Sequence, residues 1–130
     1  MIGIEYSFQK LNVWHEAKKL VVDVYNLLDS FPKFEKYALC DHIRRAIVSV
    51  PSNIAEGSGR RYLKEKIHFL EISYGSLMEV SSQFEIAEEL GYITANDRLS
   101  MDILIEEVAR LLSGLQKSFK LSTDSTDSKL

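Results

Sequence analysis

Apolar residues recur every three or four positions along most of this chain, which is the spacing of an amphipathic α-helix. Four such stretches predict helices at about residues 12–30, 35–57, 62–90 and 95–121. No stretch alternates polar and apolar residues over more than a few positions, and no Asn-Gly or Asp-Gly pair marks a β-hairpin. The predicted inward-facing residues include Val13, Ala17, Leu20 and Val24, then Tyr37, Ile43, Ile47 and Val50, then Leu70, Leu77, Phe84 and Leu90, and finally Leu99, Ile103, Val108 and Leu112.

Residues typical of helix ends lie at the borders of these stretches. Asn12 is a candidate N-cap for the first helix, and Gly57 and Gly59 break the second. Gly91 stops the third, and Thr94-Ala-Asn-Asp97 resembles a capping box that opens the fourth, with Asp where Glu or Gln is usual.

Short connections between four helices make successive helices antiparallel neighbours, so the sequence predicts an all-α, up-down-up-down four-helix bundle. A chain of 130 residues is long enough for one hydrophobic core. We expect one domain at residues 1–121, followed by a flexible C-terminal tail at residues 122–130 that is rich in Ser, Thr and Asp.

Two residues inside the predicted helices are unfavourable there. Pro51 lacks an N–H and clashes with the preceding turn, at a cost of about 3 kcal/mol. We expect the resulting bend in the second helix to position Ser52, Asn53 and Glu56. Gly75 costs about 1 kcal/mol relative to alanine, and we expect it to let another helix approach closely.

The level of the second helix relative to the third can be estimated from the turn between them. If the two helices are antiparallel about Gly59, Arg44 and Arg45 lie near residues 73–76. Glu71 or Glu79 could then form an ion pair with Arg45.

Charge is distributed unevenly along a chain whose net charge is −3. Residues 36–68 hold seven Lys or Arg against three acids, whereas the other residues hold nine against sixteen. This segment is either an anion-binding surface or a set of partners for acidic helices and subunits. The candidate phosphate-binding residues are Arg44, Arg45, Arg60, Arg61, Lys64 and Lys66.

The sequence offers little for catalysis, and we expect no enzyme activity and no cofactor. A di-iron bundle needs two Glu-x-x-His pairs, and only Glu65 and His68 form one. No Walker loop or nucleophile–His–carboxylate set is evident, and the lone Cys40 is expected to be a buried apolar residue. The chain shows neither a membrane-spanning run nor a signal peptide, so we expect a cytoplasmic protein.

Several motifs identify a family. They are Phe8-x-x-Leu11-x-Val13-Trp14-x-x-Ala17, Phe31-Pro32-x-x-Glu35-x-Tyr37-x-Leu39, Arg44-Arg45-Ala46-x-x-Ser49-x-Pro51-Ser52-Asn53-Ile54-Ala55-Glu56-Gly57, and Phe69-Leu70-x-Ile72-x-x-Gly75-Ser76-Leu77-x-Glu79. Over about residues 8–120 the chain resembles the four-helix-bundle proteins encoded in intervening sequences of bacterial 23S rRNA genes. The structural family motif comprises Pro51, Ser52, Asn53, Glu56, Gly57, Gly75, Ser76 and Glu79.

The resemblance implies a left-handed bundle that assembles into a ring, with a homopentamer as the expected state. The family also looks similar to accessory variability proteins of diversity-generating retroelements, which are pentameric bundles that bind nucleic acid and a reverse transcriptase. Residence within an rRNA gene does not by itself demonstrate rRNA binding.

Two functional hypotheses of different classes follow. The first is a non-enzymatic homo-oligomer that binds RNA or DNA through its basic surface, with Tyr62 or Phe69 available to stack on bases. The second is a protein–protein interaction scaffold whose basic segment serves subunit assembly. The location of the basic residues discriminates between them. Clustering of Arg60, Arg61, Lys64 and Lys66 with Arg44 on one exposed face of the ring would favour nucleic-acid binding. Burial of Arg44 and Arg45 against Glu71, Glu79 or a neighbouring subunit would favour the scaffold.

Overall fold

Four α-helices, joined by short connections, make up the fold. The computed structural model describes residues 3–128, with side chains as far as residue 122. The helices are α1 (Asn12–Leu28), α2 (Leu39–Ser58), α3 (Leu63–Glu89) and α4 (Ala95–Ser128). Two short 3-10 helices, Ser7–Lys10 and Lys33–Glu35, precede α1 and α2 respectively.

Each helix packs against two neighbours and avoids the helix diagonally opposite. In the described part of the chain α1 contacts α2 and α4, and α3 contacts the same two helices. This arrangement confirms the predicted all-α up-down-up-down bundle. None of the helices in residues 3–128 combines the length and the apolar character needed to cross a lipid bilayer.

The core is built from one stripe of each helix. Burying a Leu, Ile or Phe side chain fully contributes about 1.5–3 kcal/mol. The most buried positions include Ala17, Leu20, Val24, Ile43, Ile47, Val50, Ile54, Leu70, Leu77, Val80, Phe84, Val108 and Leu112.

Four predicted core positions are wrong. Leu99 and Ile103 are 55% and 68% exposed, because Met101 and Ile105 continue the buried stripe of α4. Leu90 lies in the turn after α3 and is 54% exposed, and Tyr37 precedes α2 and is 83% exposed.

The beginnings of α1 and α2 also differ from the prediction. Asn12 is the first residue of α1 and Leu11 is the N-cap residue, without a side-chain hydrogen bond, so Asn12 is not the cap. The α2 helix begins at Leu39 rather than near residue 35, because Lys33–Glu35 forms a separate 3-10 helix after Pro32. The Glu35 carboxylate accepts a hydrogen bond from the Leu39 N–H at 3.3 Å and so ties this turn to α2.

The turn from α3 to α4 follows the prediction closely. Gly91 adopts a φ of 79°, which only glycine takes at low cost, and the Tyr92 N–H donates back to the Ala87 carbonyl. The Thr94–Asp97 capping box is confirmed. The Asp97 N–H donates to Thr94 Oγ1 at 3.0 Å, and the Thr94 N–H donates to Asp97 Oδ2 at 3.1 Å.

The last helix is longer than predicted, since α4 continues beyond Leu121 to Ser128. The flexibility of residues 122–130 stays a prediction, and residues 129 and 130 lie outside the described part of the chain.

A buried hydroxyl and a close glycine contact set the register between α2 and α3. Ser73 Oγ donates to the Val50 carbonyl at 2.8 Å, and a Cβ on Gly57 would lie 3.3 Å from the Lys66 carbonyl oxygen. Because α2 and α3 run in opposite directions, a step back along α2 corresponds to a step forward along α3. Counted in this way from either contact, Arg44 lies level with residue 79 of α3. The predicted level of residues 73–76 is wrong because residues 59–62 lengthen the turn before α3 begins.

Pro51 lies within α2, as predicted, and the carbonyls around it have side-chain donors. Ser49 Oγ donates to the Ala46 carbonyl and Asn53 Nδ2 to the Ser49 carbonyl, both at 2.8 Å. These bonds, together with the one from Ser73, tie side chains to backbone carbonyls of α2 that precede Pro51.

Candidate nucleic-acid interface

The six basic residues predicted to bind phosphates form two separate groups. Arg44 and Arg45 lie in the N-terminal half of α2, whereas Arg60, Arg61, Lys64 and Lys66 lie at the connection to α3. The part of α2 from Arg44 to its end at Ser58 rises about 21 Å at 1.5 Å per residue, and the second group begins beyond that end. The structure therefore does not bring all six into one patch.

Two cations of the second group are held by the protein itself. Arg60 forms an ion pair with Glu56 at 2.5 Å, and its guanidinium lies 4.6 Å from the centre of the Phe69 ring. Lys66 Nζ donates to the Ser58 carbonyl at 3.0 Å. These contacts fasten the end of α2 to the start of α3.

The other two cations of this group, Arg61 and Lys64, are exposed. The guanidinium of Arg61 lies 5.9 Å from the centre of the Tyr62 ring, which is 60% exposed. Lys64 is exposed and lines a shallow surface depression together with Glu65 and His68. The neighbouring carboxylate weakens the attraction of this surface for anions.

A more basic concave surface lies between α1 and α2. Two hollows of about 250 and 530 Å³ lie side by side on the outside of the bundle and share Tyr25 and Arg44 in their linings. We name them together the α1–α2 groove. Its cations are Lys33, Lys36, Arg44 and Arg45, its acids are Asp29 and Asp41, and its other residues include Tyr25, Val48 and Ser52.

The two arginines of this groove differ in their contacts. Arg45 is 78% exposed and pairs with Asp41 on its own helix at 2.9 Å, so the predicted pairing with Glu71 or Glu79 is wrong. Arg44 is half-buried and Nη2 donates to the Lys36 carbonyl at 2.6 Å, which holds the connection before α2 against the helix. Each guanidinium has five N–H groups, so donors remain for an anion.

Sequence reasoning missed three residues of the groove. Tyr25 and Lys33 were not singled out, and Lys36 entered only in the charge balance. Lys33-Phe34-Glu35-Lys36-Tyr37 alternates cations with aromatic residues, which was a usable signal. Tyr25 could not be found this way because it reaches the groove from another helix.

Comparison with known proteins agrees with this fold. Residues 9–114 match the family model described as 23S rRNA-intervening sequence protein. The chain belongs to this family. No curated protein matches the sequence.

A crystal structure of a member of the S23 ribosomal protein family is also similar to this 23S rRNA-intervening sequence protein. That protein, from Bacteroides thetaiotaomicron VPI-5482, is described as having unknown function. The two share 22% identity with a TM-score of 0.75, over 81% of this chain and 98% of the other. At this identity the likeness shows a shared fold.

The motif glycines of this 23S rRNA-intervening sequence protein lie in opposite environments. Gly57 is buried, and a Cβ there would lie 3.0 Å from the Cβ of Phe69, so glycine is what allows α3 to approach. Gly75 is exposed with nothing within 4 Å of an added Cβ. Within the described chain, the predicted close approach of a helix at Gly75 is therefore wrong.

Four other motif residues contribute locally. Ser52 is exposed at one end of the α1–α2 groove, and Glu56 holds Arg60. Ser76 is half-buried, and Glu79 is exposed and accepts a hydrogen bond from Gln83 at 3.4 Å. Of the motif residues, Gly57 directly contacts the opposite helix of the α2–α3 pair, and Glu56 holds Arg60 in the turn between the two helices.

Cys40 lies at the floor of the α1–α2 groove and is 3% exposed. Burial raises the pKa of its thiol above the ordinary value, an effect opposed by the charge of Arg44. The thiol is therefore neutral at pH 7. Among the side chains that the structure describes, which end at residue 122, no three His, Cys, Asp or Glu come together in a way that could hold a metal ion.

Proposed function

We propose that this protein is a non-enzymatic homo-oligomer, with a homopentamer as the expected assembly, that binds RNA or another nucleic acid through a basic surface. The α1–α2 groove is the observation that carries the proposal. Four cations and two carboxylates line its two adjoining hollows, so cations outnumber acids there.

Phosphates are the part of the nucleic acid that this groove would contact. Such contacts carry no sequence information, and each neutralised phosphate adds nearly one unit to the slope of log affinity against log salt. A few cations give weak binding in one subunit. Five copies held in a ring would multiply that affinity by avidity, provided that one strand reaches several grooves.

The alternative is an interaction scaffold, in which the basic segment serves subunit assembly. Exposed apolar residues favour some contact between copies or with another protein. Ile72 and Ile86 are 39% and 49% exposed on α3, and Ile103 is 68% exposed on α4. Such faces are compatible with assembly in either hypothesis, so nucleic-acid binding is the property that separates the two.

The test combines light scattering with fluorescence anisotropy. A pentamer has five times the chain mass of 14.9 kDa. Labelled RNA and DNA are titrated with protein from low to physiological salt. We expect affinity to fall steeply as salt rises, and an absence of salt-dependent binding at low ionic strength would contradict the proposal.

Paired variants locate the surface. Arg45→Gln and Lys36→Gln each remove one groove cation and should each lower the salt slope by about one unit. Arg61→Gln and Lys64→Gln remove the same charge from the α2–α3 turn and serve as matched controls. If only the control pair weakens binding, the α1–α2 groove is not the interface.

A further inference from the structure

We infer that the α1–α2 groove selects single-stranded nucleic acid, because an unpaired base stacks on Tyr25. This inference rests on the proposed function and adds a residue that decides which class of nucleic acid is bound.

Tyr25 differs from the other exposed aromatic residues in what surrounds its ring. It is 42% exposed, and no other ring or cation packs against it within residues 3–128. The rings of Tyr6 and Phe34 contact Phe8 and Tyr92, and those of Tyr37 and Tyr62 lie beside Lys36 and Arg61. Of the five exposed aromatic side chains in the described chain, Tyr25 is the one whose ring has no other ring and no cation packed against it.

Tyr25 lies between cations in the groove, in the same order as a base that lies between two phosphates of a nucleic-acid strand. Tyr25 lines both hollows where they meet. Lys33 and Lys36 line the hollow on one side, Arg45 lines the hollow on the other side, and Arg44 lines both. A base on Tyr25 would therefore have cations available for the phosphate on each side.

A duplex cannot use this arrangement in the same way. Its base faces are covered by the neighbouring base pairs, and exposing one requires unstacking. A single strand offers its bases freely, and stacking on an aromatic residue does not depend on which base is present. Electrostatics alone would favour the duplex, because its phosphates are more densely spaced. A preference for single strands would thus report stacking rather than charge.

The experiment compares one unstructured 20-nucleotide RNA with the same RNA annealed to its complement. Binding of both is measured by fluorescence anisotropy over a salt series. Wild-type protein should bind the single strand at least about ten-fold more tightly, the effect expected of one stacked base. Tyr25→Leu should lose that preference and keep its salt slope, since no charge is removed. Tyr25→Phe keeps the ring and should behave like wild type.

Tyr62→Leu is the matched control, because Tyr62 is another exposed tyrosine beside basic residues, at the α2–α3 turn. It should bind like wild type. Equal binding of single strand and duplex, an unchanged preference in Tyr25→Leu, or loss of the preference in Tyr62→Leu would each overturn the inference. In these cases salt-dependent binding persists and the proposed function stands. Absence of binding to either RNA would overturn both. Circular dichroism confirms that each variant is folded.

Discussion

Replacing Gly57 with alanine would push a methyl group into the contact between α2 and α3. The new Cβ would lie 3.0 Å from the Cβ of Phe69 and 3.3 Å from the Lys66 carbonyl oxygen. Both atoms are close to or part of the α3 backbone, so the helix itself would have to move. Overpacking of this kind costs about 1–3 kcal/mol, and the higher helix propensity of alanine offsets up to about 1 kcal/mol of it. We expect Gly57→Ala to lower the free energy of unfolding by about 1–2 kcal/mol.

Gly75→Ala is the matched control on the next helix. Nothing lies within 4 Å of a Cβ at this position, and its backbone has no positive φ. The same substitution should therefore raise the free energy of unfolding by about 1 kcal/mol, through helix propensity alone. The two variants are predicted to shift stability in opposite directions.

Urea denaturation followed by circular dichroism measures both effects. All samples must be at one protein concentration, because association stabilises the folded state. The reasoning is refuted if Gly57→Ala is as stable as wild type or more stable. A destabilised Gly75→Ala that also loses mass in light scattering would show that Gly75 packs against another copy of the chain, contrary to the open surface described above.

Three further outcomes follow from other contacts. Ser73→Ala should lower the unfolding free energy by about 1 kcal/mol in urea denaturation, because Ser73 is fully buried and its hydroxyl bonds the Val50 carbonyl; no measurable change would contradict that role. Cys40 should react with iodoacetamide far more slowly in the native protein than in urea, because burial raises the pKa of its thiol. Equal alkylation rates in the two states would contradict that expectation. The folded pKa of Cys40 is above the unfolded one, so its contribution to stability is complete below the unfolded pKa and is lost as pH rises through the folded pKa. Arg98→Ala should lower the melting temperature at low salt more than at high salt, since Arg98 bonds Glu88; a loss independent of salt would indicate packing instead.

Most of the fold could be predicted from local patterns. The apolar stripes, Gly91 and the Thr94–Asp97 box depend on residues at most a few positions apart, and the structure confirms them. The inward positions in α4 could not be chosen correctly because two apolar stripes compete at its start. Packing against the other helices selects the one that contains Met101 and leaves Ile103 exposed.

The candidate site could be predicted less well, because it depends on register and on pairs of elements. The level of Arg44 was misplaced by several residues because a register counted from Gly59 ignored the length of the turn. Arg45 forms its ion pair with Asp41 of its own helix, because residues four positions apart lie on the same face of a helix. Tyr25 of α1 and Lys33, which precedes α2, line the same hollow of the groove. Their proximity depends on how the helices pack and cannot be read from the sequence.

The four seams of the bundle are unequal in strength, and this has a consequence for the order of folding. Contacts are most numerous between α2 and α3, which are adjacent in sequence, and fewest between α1 and α4, at opposite ends of the chain. Joining adjacent segments costs less chain entropy than closing a long loop, so α2 and α3 should form the folding nucleus. The contact between α1 and α4 should then form last during folding. The amide protons of the residues at this contact should be the first to exchange with solvent. Opening there would leave α1 held by α2 and by the 3-10 helix Ser7–Lys10, so the width of the groove beside Tyr25 would fluctuate with the least stable helix contact of the protein.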